Sequence, residues 1–219
     1  VKFHNVISLI FWGRFSGPFS LYSMKKIALA LLASLLLCGC AANGGFSQKD
    51  KEIINTSTED ILHVYTIESE DETMILRAKS EDLSGRALKS RDYALLAKRM
   101  VETVSDTAVG GVGIAAPQIG INKRVVAVQR FDKEGAPFEV YPNIYILDYS
   151  EDKKKGPEGC LSVPNERYEV LRSTSVTIRY FDINEGKVVT ESVEGFTAVI
   201  FQHEVDHLEG IIYTDRVLM

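Results

Sequence analysis

His203-Glu204-Val205-Asp206-His207 sets two imidazoles one helical turn apart with a carboxylate beside the first. On a helix, an H-E-x-x-H places both histidines on one face as ligands for a divalent cation. It leaves the glutamate next to the metal as a base for water. That chemistry is metal-dependent hydrolysis. The bland alternative is a pair of core histidines satisfied by backbone carbonyls. Five matched positions are harder to meet by accident than one, and the chain has only 4 His. The flanking residues predict the helix. Gly195 opens the segment, Phe196, Val199, Ile200, His203, His207 and Leu208 recur at helical spacing, and Gly210 stands where a left-handed C-terminal cap is wanted.

Two histidines need a third ligand. After His207 only Leu208 to Met219 remain, without another histidine and with Glu209 and Asp215 as the carboxylates in easy reach. Upstream, Cys160 sits in Pro157-Glu158-Gly159-Cys160-Leu161-Ser162-Val163-Pro164. Taken alone, such a cysteine reads as a small buried hydrophobe. Beside an incomplete two-histidine site it is the best candidate ligand, giving Cys-His-His and one open position.

Gly110-Gly111-Val112-Gly113-Ile114-Ala115-Ala116-Pro117-Gln118 matches a dinucleotide fingerprint in letters but not in context. The fingerprint follows a strand and opens a helix. Here a helical pattern precedes it, and Pro117 disfavours helical geometry at Ala116. The segment is expected to be a backbone-exposing loop ending in Gln118, with a plain glycine-rich connector as the alternative.

In order, Gly111-Val112-Gly113-Ile114-Ala115-Ala116-Pro117-Gln118, then Glu158-Gly159-Cys160-Leu161-Ser162, then Gln202-His203-Glu204-Val205-Asp206-His207-Leu208-Glu209-Gly210 resemble the peptide deformylases, over about residues 60–217. The resemblance implies an α+β fold with antiparallel sheets packed around a central H-E-x-x-H metal-binding helix. It implies removal of the N-formyl group from N-formylmethionyl peptides, releasing formate. By the same resemblance, Cys160, His203 and His207 bind one divalent metal, Fe2+ first, with Zn2+, Ni2+ or Co2+ as substitutes. Glu204 would be general base and acid, Gln118 and the backbone N–H of Leu161 the oxyanion hole. Val112, Gly113 and Gly159 would hold the substrate backbone, and Phe196, Val199 and Ile200 would lie near the methionine pocket. Three departures from the family pattern touch framework and substrate edges. Leu62–Ile67 through Leu76-Arg77, which looks like its first strand and following turn, lacks the usual prolines, Pro142 precedes Asn143 rather than following it, and Ser105–Val109 has Asp106 alone where several acidic residues are frequent.

The remaining pattern is that of one domain. A helix is expected over about Arg91–Ser105, with strand-like runs at Arg124–Arg130, Tyr141–Tyr149, Tyr168–Val170, Ser175–Phe181 and Lys187–Glu194. Asp182–Gly186 reads as a hairpin loop and Glu151–Lys155 as a solvated loop. A net charge of −5 with no basic face argues against nucleic acid as a direct partner.

At the amino terminus, Met24-Lys25-Lys26, the apolar run Ile27–Leu37 and Leu37-Cys38-Gly39-Cys40 resemble a bacterial lipoprotein leader and cleavage box. The expected organisation is residues 1–40 as upstream sequence and leader, 41–60 as a polar tether and 61–219 as the catalytic domain. Lipidation at Cys40 would attach the protein to a membrane outside the cytoplasm; a cytoplasmic location is the alternative. Loss of Cys38 and lipidation of Cys40 would leave Cys160 as the sole thiol, with no partner for a disulfide. Two other function classes stay open on the residues: a metalloprotease or other amidase using the same site, and a binding lipoprotein whose site no longer catalyses.

Overall fold

The computed structural model describes residues 44–56 and 61–217; the expected leader and Cys40 lie outside them. Helices α1 (Gln48–Ile54), α2 (Glu70–Leu76), α3 (Gly85–Leu88), α4 (Arg91–Ser105) and α5 (Gly195–Leu208) accompany eight strands. These are β1 (Gly113–Ala115), β2 (Val125–Gln129), β3 (Phe138–Pro142), β4 (Tyr145–Tyr149), β5 (Lys153–Cys160), β6 (Val163–Ser173), β7 (Ser175–Asp182) and β8 (Lys187–Glu194). All strand pairs within the three sheets are antiparallel, in the orders β1-β2-β3, β4-β7-β8 and β5-β6.

Strand β2 organises the interior. Successive side chains of a strand point to opposite faces. Val125 and Ala127 enter one apolar core with Leu96, Met100 and Val104 of α4, whereas Val126 and Val128 enter a second with Ile200, Phe201 and Val205 of α5. The sheet therefore lies between two helical layers, which is why Val125–Val128 are all buried rather than alternating. Helix α5 is apolar or paired almost all round, with ten of its residues from Thr197 to Leu208 buried, as expected for a helix enclosed by protein. It ends in a Schellman turn. Ile211 N–H donates to Asp206 O at 2.9 Å and Gly210 N–H to His207 O at 3.1 Å, with Gly210 at φ +74°.

Several expectations are corrected. Leu62–Ile67 joins no sheet among the described residues, and Ile67 already begins a turn: Leu62 N–H donates to Thr103 Oγ1, Tyr65 N–H to Gln118 O and Ile67 N–H to Ser162 O. Each bond goes to a different element, so no ladder forms. The Tyr141–Tyr149 run is two strands. Asn143 takes φ +53° between them, and its amide bonds both the N–H and the carbonyl of Leu83, so the chain leaves one sheet for another there. The Gly110–Gln118 segment is only partly a loop, because Gly113–Ala115 pairs with Val126–Val128 before a 3-10 turn at Ala116–Ile119. Lys153–Lys155, expected in a solvated loop, starts β5, exposed but paired with Leu171–Ser173. Within the expected tether, Gln48–Ile54 is helical, opened by a capping box between Ser47 and Asp50, and Ile54 is fully buried in the first core. Arg99 of α4 donates to the carbonyls of Ile53, Ile54 and Thr56 and holds that helix down. Among the described residues no helix is long and apolar enough to cross a membrane.

A Cβ at position 210 would sit 2.3 Å from the carbonyl oxygen of Arg77. Gly210→Ala is therefore expected to cost about 2 kcal/mol or more, from strained φ and the clash together. Urea denaturation checks it, and a loss under about 0.5 kcal/mol would show that the turn relaxes.

Candidate active site

Two elements bring the predicted ligands together. Helix α5 carries His203, Glu204 and His207, and β5 delivers Cys160 at its end, where a register shift after Gly159 opposes Cys160 to Val163. The ligand atoms of Cys160, His203 and His207 all lie within 4.8 Å of one another. Cys160 Sγ is 3.2 Å from His207 Nε2. His203 Nδ1 is 2.9 Å from Glu158 Oε2. With that nitrogen as donor to the carboxylate, Nε2 is left free for a cation.

Glu158 is the pivot of a buried charge chain. Burial would raise its carboxyl, but hydrogen bonds from His203 and Arg172 outweigh that and hold it at about 2. The Arg172 guanidinium spans Glu158, at 2.7 and 3.0 Å, and Asp206, at 2.6 Å, and Asp206 also accepts from Arg216 at 2.7 Å. Gln202 adds a neutral clamp. Its amide accepts from Ser173 N–H at 3.0 Å and donates to Ser173 O at 2.9 Å, joining α5 to the end of β6. On the far side, the Tyr213 ring stacks on His203 with centroids 5.9 Å apart.

Gln118 is 1% exposed. Its carbonyl accepts from Ala115 N–H at 2.8 Å, which turns the NH2 toward Ser162 Oγ at 3.2 Å and Cys160 Sγ at 3.7 Å. Gly113 lies against Glu204: a Cβ there would fall 2.5 Å from Glu204 Oε1 and 2.7 Å from the Ile200 side chain, so glycine leaves the room those two side chains occupy. Burial pushes the Glu204 carboxyl up to about 7, against the pull of His203 and His207. For Cys160, burial favours the neutral thiol, but His207 and His203 together take it well below its usual value.

The donor set suits a divalent cation: one thiolate, two imidazoles and room for a fourth ligand. Glu204 Oε2 and His207 Nδ1 are buried without a hydrogen-bond partner among the described residues, and such groups are costly unless something else satisfies them. Above the cluster opens a cleft of about 510 Å³. It is lined by Val112, Gly113, Gln118, Gly159, Cys160, Leu161, Phe196, Val199, Ile200, His203 and Glu204; His207 lies behind it, fully buried.

The model of the polypeptide deformylase family matches residues 61–218. The chain belongs to the polypeptide deformylase family. A peptide deformylase from Desulforudis audaxviator is 48% identical over 121 residues, which is 55% of this chain and 75% of that one. Peptide deformylase 2 of Gloeobacter violaceus is 40% identical over 145 residues, 65% of this chain and 74% of that one. A Met-Ala-Ser-bound crystal structure of a class I type b peptide deformylase from Acinetobacter baumannii superposes with a TM-score of 0.63 at 37% identity, covering 72% of this chain and 99% of that one. The antiparallel sheets and helices described above are thus a deformylase fold.

Sequence reasoning assigned no role to Glu158, Ser162, Arg172, Asp206 or Tyr213. Glu158 and Asp206 stood inside the quoted motifs and could have been flagged as acidic partners for a ligating histidine. Arg172 has no local signal, because its partners are 14 and 34 residues away.

Removing Arg172 leaves Glu158 and Asp206 buried with only His203 and Arg216 as their remaining partners. Arg172→Met is expected to cost about 3–5 kcal/mol in urea denaturation, as for a buried pair deprived of one member. A loss below about 1 kcal/mol would show that the two acids are stabilised without it.

Proposed function

We propose that the cleft hydrolyses the N-formyl group of N-formylmethionyl peptides, with Cys160, His203 and His207 holding one divalent metal. The convergence of those three side chains within 4.8 Å above a buried, unpartnered Glu204 oxygen carries the reading. Family membership makes the chain a metal-dependent peptide deformylase; the residue roles that follow are our assignment. A soft thiolate with two imidazoles suits Fe2+, and Zn2+, Ni2+ or Co2+ would also be accepted. Bound there, the metal would supply Lewis acidity toward water and the formyl carbonyl.

The chain's own groups do the rest. Glu204, held by burial near the pKa at which it both accepts and gives a proton, takes the proton of the attacking water and delivers it to the leaving amine. As the formyl oxygen gains charge it meets the Gln118 amide, aimed beforehand by the bond to Ala115, and the Leu161 N–H. Donors fixed before the reaction cost no reorganisation during it. The substrate backbone runs between two strand edges. Val112 and Gly113 offer one side, β1 being terminal in its sheet, and Gly159 of β5 the other. Phe196, Val199 and Ile200 receive the methionine side chain.

Supporting an anchored location is the pattern of Met24–Cys40 alone. In that reading Cys40 carries lipid and the enzyme acts on formylated peptides outside the cytoplasm. Cys40→Ser should move the protein from the membrane to the soluble fraction, while native protein found soluble in the cytosol would remove the anchor.

Glu204→Gln is expected to keep its metal and lose at least a hundredfold in formate release from a formyl-methionyl peptide, measured beside metal content. Near-native turnover would unseat Glu204. Cys160→Ala should lose metal and rate together, and full occupancy in that variant would move the ligand elsewhere.

A further inference from the structure

Behind Phe196 and Val199 lies a second cavity of about 410 Å³. It shares Pro157, Glu158, Phe196 and Val199 with the cleft over the metal ligands, so the two adjoin as neighbouring compartments along a trough between β5 and α5. From His203 back to Gly195 the trough runs about 12 Å, at 1.5 Å of rise per helical residue. An extended methionine side chain covers about 5 Å of that, with bonds of about 1.5 Å. The second compartment is thus more than a methionine pocket requires.

Gly156 lines the second compartment and not the first. On β5 it shares a face with Glu158, which points inward to His203 and Arg172. Any side chain at 156 would enter the trough, and nothing lies within 4 Å of where its Cβ would be. Resting on the deformylase reading above, we propose that Gly156 sets the substrate class. The trough accepts formyl peptides whose first residue carries an unbranched aliphatic side chain several atoms longer than methionine, threaded past Phe196 and Val199 into the second compartment. Each further methylene buried there is worth about fourfold in affinity.

The test compares formate release by the metal-loaded full chain from a formyl-methionyl tripeptide and from its analogue beginning with 2-aminodecanoic acid. The longer substrate should equal or exceed the methionyl one in kcat/KM. Gly156→Leu should cost the longer substrate at least fiftyfold and the methionyl one less than threefold, with Gly156→Ala between them and melting temperatures unchanged. Rejection of the longer substrate by the native chain, or equal losses on both in Gly156→Leu, would overturn the proposal. Release from neither peptide would instead sink the deformylase reading. The trough would then be read from equilibrium binding of the same two peptides, where tighter binding of the longer one, abolished by Gly156→Leu, upholds it and equal or weaker binding overturns it.

Discussion

One guanidinium holds the candidate site in register. Cys160 comes from a β-hairpin and both histidines from a helix, so their meeting depends on a bond between those elements. Arg172 is that bond, reaching from β6 to Glu158 on β5 and to Asp206 on α5. Because Glu158 also holds His203 Nδ1, one buried cation fixes both the distance between hairpin and helix and the orientation of an imidazole. Charges in such surroundings are expensive to bury. The chain spends that expense where ångström-level placement matters, and Gln202 repeats the join with uncharged groups.

Around this frame the cleft is made by leaving things out. Gly113 allows Glu204 to come up against β1, and Gly156 leaves the floor of the trough clear. Neither glycine sits at positive φ, so their value is the space a missing side chain leaves rather than conformational freedom. Gln118 is aimed by a neighbour three residues away, a local device that holds whatever the rest of the domain does.

The sequence was most legible where structure is local and periodic. Helix α4 and the β7–β8 hairpin match their expected spans because capping and alternation are written in neighbouring residues, such as Ser90 bonded to Tyr93 N–H. It was least legible where a segment's state is decided by distant partners. Leu62–Ile67 has the composition of a strand, yet its N–H groups find a threonine hydroxyl and two carbonyls on separate elements. Lys153–Lys155 has the composition of a loop, yet the hairpin recruits it. In the site, the candidate ligands and their spacing stand in the sequence itself, whereas Arg172 meets its partners only once β6 and α5 are packed.

Strand β2 gives its odd-numbered valine and alanine to one core and its even-numbered valines to the other. Neither helical layer can loosen without exposing one face of the same five residues. Opening on one side therefore strips the packing that holds the other, and the two halves share a single cooperative transition. Amide protons along Val125–Gln129 would exchange with solvent only as rarely as the whole domain unfolds. The bed beneath His203 and Glu204 inherits that rigidity, since α5 rests on the same strand.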